Sequence, residues 1–418
     1  MNSTLSRRNF VGLLGLGLTL PMVGRMFADV GTLNYRIRTI TAGVQIPTAF
    51  NLDQAQAAVV YLKNAREVFV AEGYEVQSLR LATQPLQQYL PDWKSRASLE
   101  AIKALDQFAV EQGVVCSIGP VITADEYHRE FASWAVRLVE QTKNISFSCR
   151  IASGEHGVHH HAVRSAAETI QALAAGTAGG EGNFRFTATG FIPAGTPFFP
   201  AAYFDRGKAF SIGLESPNLL TEAFQGPLDL RQAKQRLKES MEAALGPVER
   251  LGRKLADNSG WDYMGIDTSP APGLDASIGQ AIETLTHAPF GSPSTLAGCA
   301  AITDVLKGLS VKTCGYSGLM LPVLEDPVLA QRASEGRYSV SELLLYSSVC
   351  GTGLDVVPLP GDTSAESLAA LVTDVAALSA KYRKPLSARL FPIPGKKAGE
   401  TVSFDNPYLT ESIVMSPG

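Results

Sequence analysis

The stretch Leu354–Lys397 reads LDVVPLPGDTSAESLAALVTDVAALSAKYRKPLSARLFPIPGKK and decides the fold class. Leu354-Asp355-Val356-Val357-Pro358-Leu359 is a short apolar run closed by Pro360-Gly361, as a buried strand would be. Thr363 followed by Glu366 fits a capping box. Leu368, Leu371, Val372 and Val375 then recur at helical spacing. Pro385 closes the helical region, and Leu386 to Phe391 forms a second strand ended by Pro392-Ile393-Pro394-Gly395. A helix between two strands makes the strands parallel, with a right-handed crossover. Ligands of parallel α/β sheets sit at the carboxyl ends of the strands. Gly361-Asp362-Thr363 and Gly395-Lys396-Lys397 lie at those ends here, and they suit an anionic ligand. The same loops also read as ordinary caps.

The pattern repeats outward from this unit. Tyr35–Val44, Tyr74–Leu81, Val114–Gly119, Ile145–Ile151, Phe184–Thr189, Met264–Asp267 and Leu319–Val323 read as strands. Helices are expected over Leu52–Glu72, Ser98–Gln112, Ala124–Thr142, Val163–Ala175, Asp229–Asn258, Ala276–Leu285 and Thr295–Lys307. Ser339 and Glu342 form a further capping box. Such alternation points to an α/β protein built on a largely parallel sheet or barrel. A soft division lies over Gly190–Leu230, opened by the Pro- and Gly-rich passage Gly190–Pro200, but no linker separates two domains.

The composition is that of a globular protein: 418 residues, 45% hydrophobic, 18% charged, formal net charge −4. No Lys/Arg run exceeds two residues, so no nucleic-acid partner is expected. Five scattered cysteines, an odd number, do not make a disulfide scaffold. The start is distinctive. Ser6-Arg7-Arg8-Asn9-Phe10 precedes an apolar run to about Val23, and Ala28 offers a cleavage point. Residues 1–28 thus read as a twin-arginine signal peptide and 29–418 as a single domain. An extracytoplasmic, periplasmic location follows, with membrane anchorage if the leader is retained.

Several groups carry candidate chemistry. Asp267 with Asp275, the Glu325-Asp326 pair and Asp362 follow apparent strands and suit acid–base work or a divalent cation. Each also reads as a local cap. Arg389 in a buried strand needs an anionic ligand or a carboxylate, and Asp355 in the adjoining strand is the candidate partner. Arg389, Lys396, Gly361, Asp362 and Thr363 are therefore the candidate substrate-binding residues. Cys314 and Cys350 stand at glycine-rich bends, where a thiol is either a nucleophile or simply buried. Glu155-His156-Gly157-Val158-His159-His160-His161 is the densest histidine cluster, readable as a metal site or as a solvated helix start.

Taken together, GIDTSPAPGLDASIGQAIE, GSPSTLAGCAAITDVLKG, CGYSGLMLPVLED, SSVCGTGLDVVPLPGDT and LSARLFPIPGKKAGE resemble the domain of unknown function 711 family, also called uncharacterised protein family 0210. RIRTITAGV and FIPAGTPFFPAAYFDRGKAFSIGLES extend the resemblance over nearly the whole mature chain. It implies a parallel α/β barrel like that of pyruvate formate-lyase, with the site inside, and carries no established activity. The histidine run, Phe404–Leu409 and the leader depart from the family's usual pattern. The expectation is an exported α/β-barrel enzyme acting on a small polar anionic substrate. Asp267, Glu325, Asp326 and Cys350 are its candidate catalytic residues, and a divalent metal its candidate cofactor. The alternative is a non-catalytic ligand-binding protein. A remoter alternative is a glycyl-radical enzyme using Cys314-Gly315-Tyr316. The partners expected are a small-molecule ligand, the twin-arginine export machinery and, as assembly, a homo-oligomer.

Overall fold

Strands and helices alternate along the chain as the apolar spacing requires. The structure, a computed structural model, describes residues 33–418. The twin-arginine leader expected over residues 1–28, with its cleavage point after Ala28, lies outside the described residues. The strands are β1 (Arg36–Val44), β2 (Leu79–Thr83), β3 (Val115–Ile122), β4 (Ile145–Ser153), β5 (Gly157–Val158), β6 (Phe186–Gly190), β7 (Ala209–Glu215), β8 (Asp262–Pro270), β9 (Gly353–Pro360), β10 (Leu386–Ile393), β11 (Thr401–Val402) and β12 (Ser412–Ile413). The helices are α1 (Asp53–Ala71), α2 (Arg96–Gln112), α3 (Phe131–Gln141), α4 (His160–Gly176), α5 (Pro217–Ala223), α6 (Leu230–Ser259), α7 (Ile278–Thr286), α8 (Thr295–Lys307), α9 (Pro327–Ser334), α10 (Val340–Val349) and α11 (Ala365–Tyr382).

One large, mostly parallel sheet runs in the order β8-β7-β1-β2-β3-β4-β6-β10-β9, with β5 paired to β4. β1, β2, β3, β4 and β6 are mutually parallel. β7–β8 and β9–β10 are also parallel pairs. Two antiparallel seams, β1–β7 and β6–β10, join these groups. β7 was not legible as a strand, because AFSIGLE is buried on both faces and follows a Pro-rich passage. The hydrogen-bonded ladder ends at β8 and β9. Between those edges the chain makes two single bridges, Ile266 to Thr313 and Pro322 to Asp355. Leu319–Val323, expected as a strand, therefore contributes one contact rather than a ladder; Pro322 has no N–H to donate.

The C-terminal unit is parallel as expected, with Ser387 opposite Gly353 and Ile393 opposite Pro360. Its cap differs by one residue. Ser364 accepts from the Ser367 N–H at 3.2 Å, while Thr363 turns its hydroxyl onto the Pro360 carbonyl at 2.7 Å. The expected helix over Ala124–Thr142 is confined to α3, and α7 is capped by Ser277 rather than by Asp275.

The two faces of the sheet differ in chemistry. Alternate strand residues, such as Ile40, Leu81, Cys116, Phe147, Ile212, Leu354 and Leu390, join one apolar core with the helices. The residues between them point to the other face. There stand Thr41, Ser117, Asp355, Ser387 and Arg389, all buried or nearly so. The Gly190–Pro200 passage and its continuation lie against this polar face. Thr41 Oγ1 donates to the Pro197 carbonyl at 3.0 Å and Ser117 Oγ to the Ala202 carbonyl at 2.7 Å. Gly213 admits Phe198, for a Cβ there would stand 2.8 Å from the ring. The passage is thus packed into the unit formed by residues 34–418 rather than dividing it.

Candidate functional site

Arg389 projects from β10 into the polar face, against a shift in the β9–β10 register beside Asp355. Its Nε donates to Asp355 Oδ1 at 2.8 Å and its Nη2 to Glu325 Oε1 at 2.6 Å. All three side chains are nearly shut off from solvent, and the Phe184 ring covers the guanidinium at 5.1 Å. Burial alone would lower the Arg389 pKa, but the two carboxylates outweigh it and hold the group charged. Burial raises the Asp355 carboxyl, Arg389 opposes the rise, and the like charge of Glu325 adds to it. Two acids thus share one cation, and one of them is driven toward protonation.

Asp267 organises the next layer. Its Oδ1 accepts from the Ser269 N–H (3.1 Å), the Ser269 hydroxyl (2.6 Å) and the Ser317 N–H (2.9 Å), and its Oδ2 from the Tyr316 N–H (2.8 Å). Burial pushes its pKa up to about 6, against the pull of these donors. Gly315, at φ +62°, lets the turn close on the carboxylate, because a Cβ would collide with Oδ2. The clamp aims Tyr316. Its hydroxyl lies 3.0 Å from Ser387 Oγ, which donates to the Thr352 carbonyl at 3.1 Å. The charges of Asp355, Asp267 and Arg389 all reach this hydroxyl.

More guanidinium groups stand nearby. Arg38 donates to Glu215 Oε2 at 2.8 Å and to Gln77 Oε1 at 3.1 Å. Arg36 pairs with Glu215, Asp275 and Glu75. Arg80 on β2 is within electrostatic reach of Arg38, Glu325, Tyr408 and Arg389. The sequence reading missed Arg38, Arg80, Tyr316 and Ser387. The signal that singled out Arg389, a cation alternating with apolar residues in a strand, is present in RIRTI and LRLAT as well.

The remaining candidates lie apart. Asp326 is buried between two helix starts, accepting from Ile278 N–H (2.6 Å), Gly279 N–H (3.2 Å), Val328 N–H (3.0 Å), Leu329 N–H (3.1 Å) and the Ser277 hydroxyl (2.6 Å). Cys350 ends α10, and burial pushes its thiol up to about 11. Lys384 donates to the carbonyl of Cys350 at 2.7 Å and to those of Ser347 and Ser348. Cys314 is half-buried, with a thiol pKa raised by burial. Gly361 N–H donates to the Lys396 carbonyl at 3.0 Å, so these two loops do meet. They stand about six residues, roughly 20 Å, along β9 from Asp355. Asp362 is exposed there and Thr363 buried. His159 is buried on Ser153 Oγ at 2.9 Å, and His156 is exposed. Among the described residues, no three His, Cys, Asp or Glu side chains converge as metal ligands. A surface groove of about 230 Å³ between α1 and α6 is lined by Glu72, Tyr74, Pro247, Arg250, Leu251 and Lys254, with no acid–base cluster in it.

The chain is similar over most of its length to proteins of one group. A UPF0210 protein of Syntrophobacter fumaroxidans is 29% identical over 95% of this chain and 92% of its own. A UPF0210 protein of Pyrobaculum islandicum is 30% identical, covering 80% of this chain and 78% of its own. That of Desulfovibrio desulfuricans is 28% identical over 91% of each. The family model described as Uncharacterised ACR (DUF711) matches residues 30–406, which include Asp267, Tyr316, Glu325, Asp355 and Arg389. With the whole of the large sheet, β1 to β10, inside that match, the chain belongs to the DUF711 family.

Proposed function

We propose that this protein is an exported α/β-barrel enzyme that acts on a small polar anionic substrate by acid–base chemistry. The observation that carries the reading is the buried group Arg389, Asp355 and Glu325, with Tyr316 held beside it by Asp267. A carboxyl raised by burial, sharing one cation with a second acid, is what proton transfer needs. Asp355 and Glu325 are placed for that role, and Asp267 acts by positioning Tyr316. A metal-assisted variant has less support, because Asp267 and Asp326 commit their oxygens to N–H and O–H donors. The barrel, resembling that of pyruvate formate-lyase, would be closed by residues 313–322. The bridges at Thr313 and Pro322 support that reading. The alternative, a ligand-binding protein using the same face, predicts binding without turnover.

Two experiments test the proposal. Calorimetry with phosphorylated and carboxylated metabolites should give saturable binding to the wild type. Binding should weaken by about tenfold or more in Tyr316→Phe if the hydroxyl touches the ligand. Absence of binding by every metabolite tried would refute the reading. For export, replacing Arg7 and Arg8 by lysines should shift the protein from the periplasmic to the cytoplasmic fraction. An unchanged distribution would remove the twin-arginine assignment. No helix of the described residues is long and apolar enough to cross a membrane.

A further inference from the structure

Arg80 differs from the guanidinium groups around it. Arg36, Arg38 and Arg389 each form an ion pair with at least one carboxylate. Arg80 forms none among the described residues. Its Nε donates to Ser78 Oγ at 3.1 Å, and its Cζ lies 5.1 Å from the centre of the Phe199 ring. The outer edge, Nη1 with Nη2, has no protein partner among the described residues. That edge is the fork that grips two oxygens of one planar anion. Burial, and after it the charge of Arg38, pulls the Arg80 pKa down to about 9, as expected of a cation short of a counter-charge.

The surroundings select the anion. Glu325 is close enough to act on Arg80, and Asp355 lies beyond it on Arg389. One negative charge would compensate Arg80, while a second would meet these acids in a poorly solvated place. Aromatic rings stand beside these guanidinium groups. Tyr408 stands 5.8 Å from the Arg38 guanidinium and is half exposed. It lies on the turn between β11 and β12, tied down by the Thr410 N–H on the Leu324 carbonyl at 2.8 Å. Arg80 thus stands against Phe199 and within electrostatic reach of Tyr408, Glu325 and Arg389.

Resting on the reading of the polar face as a substrate site, we propose that Arg80 receives the carboxylate of a small monocarboxylic acid. Such a ligand would be presented end-on to Glu325 and Asp355, with Tyr408 at its entrance.

The test is calorimetry on the full chain at constant ionic strength, using acetate, lactate and pyruvate against inorganic phosphate and sulfate. The wild type should bind at least one monocarboxylate more tightly than either inorganic anion. Arg80→Gln should weaken that binding about tenfold or more, and Arg80→Lys by less. Thermal melting without ligand controls for folding. Arg80→Gln should melt at or above the wild type, since a cation without a counter-charge is removed, and the carboxylate should raise the wild-type melting temperature only. Phosphate binding as tightly as the monocarboxylates, an unaltered Arg80→Gln affinity, or an Arg80→Gln protein markedly less stable than the wild type would each overturn the assignment. If the wild type binds carboxylates but Arg80→Gln does so equally well, only the Arg80 assignment falls. If it binds none of the five anions, the assignment falls with the substrate-site reading beneath it.

Discussion

Asp267 is surrounded by donors and still has a pKa of about 6, because no solvent reaches it. The sign of its effect on stability follows. Its folded pKa exceeds the ordinary aspartate value of 3.8. Between about pH 4 and pH 6 the folded chain therefore holds a proton that the unfolded chain has lost. This group's contribution is complete below about pH 4 and falls as the pH rises to about 6, by roughly 3 kcal/mol. Asp267→Asn should flatten that part of the profile in urea denaturation midpoints from pH 4 to pH 7. Parallel wild-type and mutant profiles would contradict the assignment. At Arg389 the effect is larger and of another kind. Arg389→Ala leaves Asp355 and Glu325 buried without their cation and should cost about 3–5 kcal/mol in the same assay near neutral pH. A loss below about 1 kcal/mol would mean that water already screens the group.

Among the elements, α7 and α9 share one carboxylate. The first turns of both helices present N–H groups that no helical carbonyl can take, and Asp326 accepts from two of each. The acid gains the positive ends of two dipoles at once. Asp326→Ala should therefore destabilise the protein by about 3 kcal/mol or more, beyond an ordinary cap at about 1 kcal/mol. Amide exchange should quicken in Ile278–Gly279 and Val328–Leu329 together. Quickening at one helix alone would show that the caps are independent. α10 has the complementary device, Lys384 on its C-terminal carbonyls, where burial lowers the lysine pKa to about 8.

In the whole molecule, one apolar cluster extends from Tyr35 to Met415 and touches every long strand. The antiparallel seams β1–β7 and β6–β10 tie the strand groups together. Residues 34–418 should consequently unfold in a single calorimetric transition, with equal calorimetric and van't Hoff enthalpies. Two separated transitions would show that the seams are weaker than the core implies.

How much of this was legible follows from range. Helix Thr295–Lys307 was read to the residue, the Ser339–Glu342 capping box was found as spelled, and the parallel pair β9–β10 followed from its crossover. All depend on residues close in the chain, where period and capping act within a few positions. The Arg389–Asp355 pair was reachable for the same reason, since a buried cation in a strand needs an acid on its neighbour. Asp326 was open to a capping reading, but its second helix, 48 residues back at Ile278, was not. Nor was the neutralising Glu325, the clamp of Asp267 on Tyr316, or the antiparallel placement of β7. These contacts join segments far apart in sequence, and only packing decides them. Hydrophobic period fixes which residues face the core, and residue type fixes which side chains need a partner. Which partner each receives, and hence which cation is left with an open edge, is decided when the distant strands meet.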